Sequence, residues 1–307
     1  MMPTDCFVLR TPTILPAIRI SWCLRPTFML ISGRVSRSFY HQCASTRGFR
    51  PFAPDIMIHK YCSRQVKMVI PINERLLSGR KLYISQNGTG GPVIFWGMYP
   101  HRGNEVEHLR ESLMEIAPGQ NFMLVAFQVE DWNRDFSPWE APAMFGTERF
   151  SGQGAETLRW LTEECMPYID QTFDTERRER WLMGYSLAGL FALWAAYECD
   201  CFSGIICCSG SLWFQDWDIY VEEHTLHSKC KIYLSLGGRE EKTKNKVMAR
   251  VGDRTREQKK KLEKDPMAER VFLEWNAGGH FADEGKRLAK GIRYLFHISQ
   301  SGGNIKE

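Results

Sequence analysis

The sequence predicts an α/β fold in which helices flank both faces of a mostly parallel central sheet. Short apolar runs of buried-strand type alternate with amphipathic stretches of helical length from about residue 66 onward. The composition is that of an ordinary globular protein, with 307 residues, 43% hydrophobic and 25% charged. Because there is no internal repeat and no low-complexity linker, we expect one large domain.

The predicted elements follow in chain order. Two early antiparallel strands are predicted over residues 66–71 and 81–85. Buried strands are predicted over 93–96, 123–127, 180–183, 204–208, 232–236 and 271–274. Apolar residues at three- and four-residue spacing predict helices over 105–116, 154–168, 187–197, 242–264 and 284–299.

The amino-terminal stretch differs in composition from the rest of the chain. We predict a poorly structured or non-native extension over residues 1–60, followed by the folded α/β domain over 61–307. Asp5 is the only acidic residue before position 55, whereas arginines and serines are spread along this stretch, as in an organellar transit peptide. The alternative is that translation starts later, at Met57 or Met68. Prolines that break a long amphipathic helix favour this alternative.

Charge, hydropathy and cysteine usage restrict the partners. A net charge of +4 over this length gives little support for nucleic-acid binding. No run approaches the roughly 20 apolar residues of a membrane span, and arginines interrupt any secretory signal. The ten cysteines show no small-domain disulfide pattern. We therefore expect a cytoplasmic protein that binds neither nucleic acid nor membrane, and the sequence leaves a homo-oligomer open.

The strongest local motif is Gly-Tyr-Ser-Leu-Ala at residues 184–188. It matches the Gly-x-Ser-x-Gly nucleophile elbow of the α/β-hydrolase fold, except that Ala replaces the last Gly. A strand-like run precedes the motif and a helix-like run follows it, which would hold the hydroxyl of Ser186 on a sharp, exposed corner. We predict Ser186 as the nucleophile of an α/β-hydrolase. The alternative is an ordinary helix N-cap.

A serine hydroxyl needs a base, and the base needs an orienting acid. His280 follows a predicted strand through a Gly-rich segment, and a surface-loop histidine is the alternative. In the chain order Ser, acid, His, the acid should follow the penultimate strand. Glu240 is the predicted acid and Glu241 the reserve. Either one taken alone also fits a carboxylate that favours a helix amino-terminus.

An oxyanion hole requires two backbone N–H groups. In this layout one comes from the residue after the nucleophile, which is Leu187. The other comes from the turn after an early strand, where Gly97 permits the turn and Met98 is the predicted donor. A plain strand-ending turn is the alternative for Met98.

Four segments together resemble a known family. They are Gly-Tyr-Ser-Leu-Ala-Gly-Leu-Phe from residue 184, Ser-Gly-Ser-Leu-Trp at 209–213, Gly-Gly-His at 278–280 and Arg-Asp-Phe-Ser-Pro at 134–138. The chain resembles, over about residues 66–299, the esterase family that includes esterase D and the enterobactin esterases. The resemblance implies an α/β-hydrolase core, a Ser nucleophile, a His base, no metal and no organic cofactor. Members act on carboxylic esters, thioesters or ester-linked siderophores, and some relatives transfer acyl groups.

The resemblance also indicates a substrate pocket. Tyr185, Trp213, Arg134 and Trp132 are expected to border it, together with Trp139. Aromatic walls would favour an apolar or aryl acyl group, whereas tryptophans buried in the core are the alternative. We therefore expect hydrolysis of a small-molecule carboxylic ester. Acyl transfer on the same fold, or an inactive binding protein that keeps the fold, are the alternatives.

Overall fold

A computed structural model describes residues 72–99, 104–144 and 146–300 of the chain. The extension predicted over residues 1–60 lies outside the described residues, and so does the strand predicted over 66–71. The boundary between extension and domain stays a prediction.

Eight of the described strands form one sheet in the order β1-β2-β4-β3-β7-β8-β9-β10. The strands are β1 (Ile72–Leu77), β2 (Arg80–Asn87), β3 (Val93–Met98), β4 (Phe122–Gln128), β5 (Glu140–Ala141), β6 (Phe150–Ser151), β7 (Arg180–Tyr185), β8 (Gly204–Cys208), β9 (Cys230–Gly237) and β10 (Ala268–Asn276). Pairing is antiparallel at the β1–β2 and β2–β4 borders and parallel at all others in this sheet. Strands β5 and β6 form a separate two-stranded ribbon.

The described helices connect these strands. They are α1 (Asn104–Ile116), α2 (Trp132–Asp135), α3 (Gly154–Trp160), α4 (Met166–Phe173), α5 (Leu187–Glu198), α6 (Trp217–Glu223), α7 (Val251–Leu262) and α8 (Glu284–Gln300). Within the part of the chain that the structure describes, no helix combines the length and the apolar character needed to cross a bilayer.

The sheet has a hydrophobic core on each face. Along β3, Val93 and Phe95 join the core that contains α5, whereas Ile94 and Trp96 join the core that contains α1 and α8. Successive side chains of a strand point to opposite faces, so a strand that is buried throughout must be covered on both sides. Each fully buried large apolar side chain contributes about 1.5–3 kcal/mol. The predicted α/β architecture, with helices on both faces of a mostly parallel sheet, is confirmed.

Two predicted helices differ from the structure. The helix predicted over 242–264 is wrong at its start, because α7 begins only at Val251 after two 3₁₀ turns. The Asn245 side chain accepts hydrogen bonds from the N–H groups of Val247 and Met248, and this local bonding competes with helix formation. The helix predicted over 154–168 continues to Phe173 through a π-helical turn, and Pro167, which lacks an N–H, follows that turn.

The parallel strands determine where a site can form. Strands β3, β7, β8, β9 and β10 run in the same direction, so the segments that follow them lie at one edge of the sheet. Candidate residues from distant parts of the chain meet at this edge.

Candidate active site

Ser186 stands alone between β7 and α5, at φ 58° and ψ −122°. A non-glycine residue rarely adopts positive φ, so the surrounding structure must hold this conformation. The N–H of Ser186 donates to the carbonyl of Cys208 at 3.0 Å, and its carbonyl accepts from Gly189, Leu190 and Ser211. Although Ser186 occupies the N-cap position of α5, its side chain makes no capping hydrogen bond. The half-buried hydroxyl is therefore available to another partner.

The tight elbow depends on glycine at position 184. A Cβ there would collide with the carbonyl group of Ala188, which belongs to the first turn of α5. Gly189 is also closely packed, because a Cβ there would lie 3.1 Å from the carbonyl oxygen of Cys208. Small residues let β7 and α5 pass close to each other, and this proximity raises the serine above the sheet edge.

We expect Gly184→Ala to destabilise the fold by about 1–3 kcal/mol, because backbone atoms would have to move. Urea unfolding measures the change. The matched control is Gly285→Ala in the first turn of α8, where a Cβ would meet no atom closer than 3.8 Å. This control is expected to be neutral or to gain up to about 1 kcal/mol. Equal losses in both variants would contradict the tight packing at the elbow.

The structure brings the predicted base and acid into line with Ser186. The Nε2 of His280 lies 3.0 Å from the Ser186 hydroxyl oxygen, and its Nδ1 lies 2.8 Å from the Oε2 of Glu240. An ionised carboxylate only accepts hydrogen bonds, so Nδ1 must carry a proton and Nε2 is left as an acceptor. The hydroxyl of Ser186 therefore donates to Nε2. This is the arrangement in which the imidazole removes a proton from the serine.

Glu240 is deeply buried, with a side chain that is 4% exposed. Burial by itself would raise the pKa of Glu240, but hydrogen bonds from His280, Ser209 and the N–H of Gly237 outweigh burial and lower this pKa below its ordinary value. Glu240 is thus held as the carboxylate. Glu241 points elsewhere and pairs with Arg256 at 3.0 Å. Of the two candidate acids, only Glu240 contacts His280 in the structure.

The two predicted oxyanion donors each line a cavity that also includes Ser186. Leu187 is the first residue of α5, so its N–H has no acceptor within the helix. Met98 is the last residue of β3, opposite Gln128 of β4, and it lines a cavity beside Ser186. The adjacent Gly97 lies against the ring of Phe136, where a Cβ would meet ring carbons at 2.6 Å. The glycine therefore allows the end of β3 to come close to α2.

Two cavities meet at Ser186. The smaller one, which we call the narrow cavity, has a volume of about 310 Å³ and includes Tyr185 and Met98 in its wall. The larger one, which we call the wide cavity, has a volume of about 820 Å³ and includes Trp213 and Leu187 in its wall. Five residues line both cavities, namely Tyr99, Trp132, Ser186, His280 and Phe281. A group bound at the serine could therefore extend in two directions.

Three aromatic side chains line both cavities, and we call this group the aromatic mouth: Tyr99, Trp132 and Phe281. Tyr99 stacks on Trp132 with ring centroids 4.3 Å apart. Phe281 is 82% exposed and meets the His280 ring edge-on at 5.0 Å. Offset and edge-to-face contacts of this kind suit planar or apolar groups.

Not every predicted pocket residue borders the cavities. Arg134 lines neither of them, because its guanidinium bonds to the buried carboxylate of Asp135 at 2.7 Å and to Glu130. Trp139 also lies apart, and its indole N–H donates to the carbonyl of Gln215. Arg134 and Trp139 thus line neither cavity, whereas Trp132, Trp213 and Tyr185 do, and the pocket roles of these residues stay predictions.

The sequence analysis missed several residues at this site, among them Tyr99 of the aromatic mouth. Arg287 on α8 is 1% exposed and bonds to Glu240, and Phe281 lies in the aromatic mouth. Position 281 directly follows His280, which could have drawn attention to it. Arg287 has no local sequence signal.

Among the described residues, no group of three or more His, Cys, Asp or Glu side chains is placed to hold a metal ion.

The strand order and the elbow define an α/β-hydrolase. Residues 85–282 match the model of the family described as Putative esterase, and the chain belongs to that family. No curated protein sequence matches the chain.

Solved structures share this fold at low sequence identity. An IroE-like serine hydrolase from Shewanella oneidensis matches at TM-score 0.64 and 17% identity, covering 74% of this chain and 80% of that protein. The siderophore hydrolase EstA from Aspergillus nidulans matches at TM-score 0.62 and 16% identity, covering 83% and 100%. Enterochelin esterase from Shigella flexneri matches at TM-score 0.58 and 17% identity, covering 76% and 60%.

Proposed function

We propose that this protein is a serine esterase that hydrolyses a small-molecule carboxylic ester through an acyl-enzyme intermediate. The observation that carries the proposal is the continuous hydrogen-bonded row of Ser186, His280 and Glu240, with contacts of 3.0 and 2.8 Å. Membership of the Putative esterase family supports it. A row that is already in hydrogen-bond contact also favours an enzyme over an inactive binding protein of the same fold.

The reaction would proceed in two half-reactions. Ser186 Oγ attacks the ester carbonyl carbon while His280 Nε2 takes the hydroxyl proton. The N–H groups of Leu187 and Met98 stabilise the oxyanion, and Glu240 stabilises the imidazolium that has formed. The C–O bond then breaks, and His280 gives its proton to the leaving alcohol. Water repeats the sequence on the acyl-enzyme, which releases the carboxylic acid and restores Ser186.

The cavities suggest a substrate with one compact part and one bulky part. The narrow cavity of about 310 Å³ would hold the compact part, and the wide cavity of about 820 Å³ would hold the bulky part. Siderophore hydrolysis by proteins of the same fold, such as EstA, agrees with a bulky ester substrate.

The cytoplasmic location expected from the sequence is part of the same proposal. The described cysteines are free thiols, which agrees with a reducing compartment.

A fluorophosphonate probe tests the proposed nucleophile. Intact-mass analysis should show one adduct on the wild-type protein and none on Ser186→Ala. His280→Ala should label far more slowly, because the base is absent. Ser85→Ala, which removes a buried hydroxyl on β2, is the matched control and should label like the wild type. An adduct that persists on Ser186→Ala would refute the assignment.

Product analysis separates hydrolysis from acyl transfer. The protein is incubated with a p-nitrophenyl ester, with and without an added alcohol, and the acyl products are quantified. For an esterase we expect the free carboxylic acid as the main product in both samples. A transferred ester that dominates even at low alcohol concentration would instead identify an acyltransferase.

We expect Phe281→Ala to raise KM for aryl esters several-fold with little change in kcat, because the aromatic mouth would lose one wall while the reacting groups stay in place. The melting temperature should hardly change, since Phe281 is 82% exposed. Steady-state kinetics on phenyl and methyl esters of one acid measure the effect. Leu76→Ala, on β1 and 75% exposed, is the control. An unchanged KM for the phenyl ester would show that Phe281 does not contact the substrate.

A further inference from the structure

Arg287 lies on α8 behind the candidate active site, and its side chain is 1% exposed. We propose that Arg287 is a positioning residue, which fixes the carboxylate of Glu240 and the loop carrying His280 relative to each other. The proposal rests on the proposed esterase function and adds to it a residue that touches neither the substrate nor the nucleophile. The contacts of the guanidinium with Glu240 and with this loop support it.

The first set of contacts orients the acid. The Nη1 of Arg287 lies 3.0 Å from Glu240 Oε1 and 2.8 Å from the hydroxyl oxygen of Ser209. The same Oε1 accepts from Ser209 and from the N–H of Gly237, both at 2.7 Å. Because these donors converge on Oε1, the other carboxylate oxygen is directed toward the imidazole of His280.

The second set of contacts holds the loop between β10 and His280. The Nη2 of Arg287 donates to the carbonyl of Gly279 at 2.8 Å and to that of Ala277 at 3.3 Å. Its Nη1 contacts the hydroxyl of Tyr185 at 2.9 Å, and this hydroxyl donates to the carbonyl of His280. The loop has no regular secondary structure, so these bonds to its carbonyls restrain the imidazole.

Stability alone does not account for a buried arginine at this place. A buried ion pair loses the hydration of both charges, and well-packed apolar residues in its place are often neutral or stabilising. The Nε of Arg287 is also buried without a hydrogen-bond partner. The guanidinium does provide two donor nitrogens in a fixed plane, one directed at the acid and one at the histidine loop. A planar donor of this kind suits positioning.

Kinetics of Arg287 variants on a p-nitrophenyl ester test the proposal. We expect Arg287→Met to lower kcat about 100-fold with KM almost unchanged, because the reacting groups would be displaced while the cavities stay intact. Arg287→Lys keeps the positive charge but lacks the planar pair of donor nitrogens, so its kcat should fall only about 10-fold. Lys290→Met is the matched control, since it removes another α8 cation that is bonded to a different carboxylate, Glu274. Its kcat should stay within twofold of the wild type.

A double-mutant cycle separates positioning from general structural support. If Arg287 acts partly through Glu240, adding Arg287→Met to Glu240→Gln should lower kcat much less than Arg287→Met lowers it in the wild type. Fully additive losses in the double variant would overturn the proposal, because Arg287 would then act independently of Glu240. So would an Arg287→Met variant with kcat within twofold of the wild type.

Two further outcomes are distinguishable. If Arg287→Met does not fold, the kcat of Arg287→Lys tests the proposal instead. An Arg287→Lys variant with the same kcat as Lys290→Met would overturn it. A wild-type protein that neither hydrolyses esters nor reacts with a fluorophosphonate contradicts the esterase function itself. A reactive wild type with unaffected Arg287 variants contradicts only the positioning role.

Discussion

Ser186→Ala is expected to lower kcat for ester hydrolysis by about 10⁴–10⁶-fold, because no other group replaces the attacking oxygen. KM should change little, since the substituted atom is small and both cavities remain. The fold should also be retained, because alanine at position 186 would adopt the same backbone conformation as serine, at φ 58°, and no capping hydrogen bond is lost. Initial rates with a p-nitrophenyl ester at high protein concentration measure the loss.

The control for this prediction is Ser85→Ala, which removes a hydroxyl from β2 and should leave kcat unchanged. Matching melting temperatures for Ser186→Ala and the wild type exclude unfolding as the cause. A Ser186→Ala variant with more than about 1% of wild-type kcat would exclude a serine mechanism at this position, because loss of a nucleophile removes far more than 100-fold.

Glu240→Gln is expected to lower kcat by about 10³–10⁴-fold, since a neutral amide neither fixes the required tautomer of His280 nor stabilises its charged form. The variant should also lose about 3–5 kcal/mol of stability, because the buried guanidinium of Arg287 would face no carboxylate. Steady-state kinetics and urea unfolding measure the two effects on the same samples.

Glu241→Gln provides a control from the adjacent residue. Its side chain is 30% exposed and pairs with Arg256 at the surface. Such a pair contributes about 1 kcal/mol or less, and kcat should stay within twofold of the wild type. If Glu241→Gln were the slower of the two variants, the acid would be misassigned. If both variants kept near-full kcat, neither residue would be the third member.

Lowering the pH should reduce the difference in stability between the wild type and Glu240→Gln. The pKa of Glu240 in the folded protein is lowered below its ordinary value of 4.5, chiefly by the hydrogen bond to His280 once the opposing effect of burial is overcome. Stability from such a carboxylate is fully present above pH 4.5 and is lost as the pH falls through the folded pKa. Melting temperatures should therefore differ most near neutrality, and the difference should shrink as the pH falls below 4.5. A constant difference down to pH 3 would contradict the lowered pKa.

Local patterns were sufficient to predict much of the fold. The run at 204–208 has the same bounds as β8, because a short apolar run between turn residues has few other solutions in an α/β chain. The motif at 184–188 drew attention to the elbow for the same reason, since its glycine is required by contacts within a few residues. The start of α7 was missed because a single side chain, Asn245, ends the helical pattern there.

Contacts between distant residues could not be predicted in the same way. Glu240 and Glu241 are adjacent in a 3₁₀ turn, and contacts with distant residues distinguish them. Glu240 bonds to His280 and Arg287, whereas Glu241 pairs with Arg256. Arg134 looked like a pocket residue, but the buried carboxylate of Asp135 binds its guanidinium. Arg287 reaches Glu240 across 47 positions of sequence, so no local pattern marks it.

The location of Arg287 affects how fragments of this protein should be designed. The family match ends at residue 282, after the serine, the glutamate and the histidine but before α8 begins at Glu284. A truncated form ending there would keep all three residues of the proposed triad. It would nevertheless lose the guanidinium behind them and the Leu288 wall of the narrow cavity. The smallest expression unit worth assaying must therefore extend through residue 300.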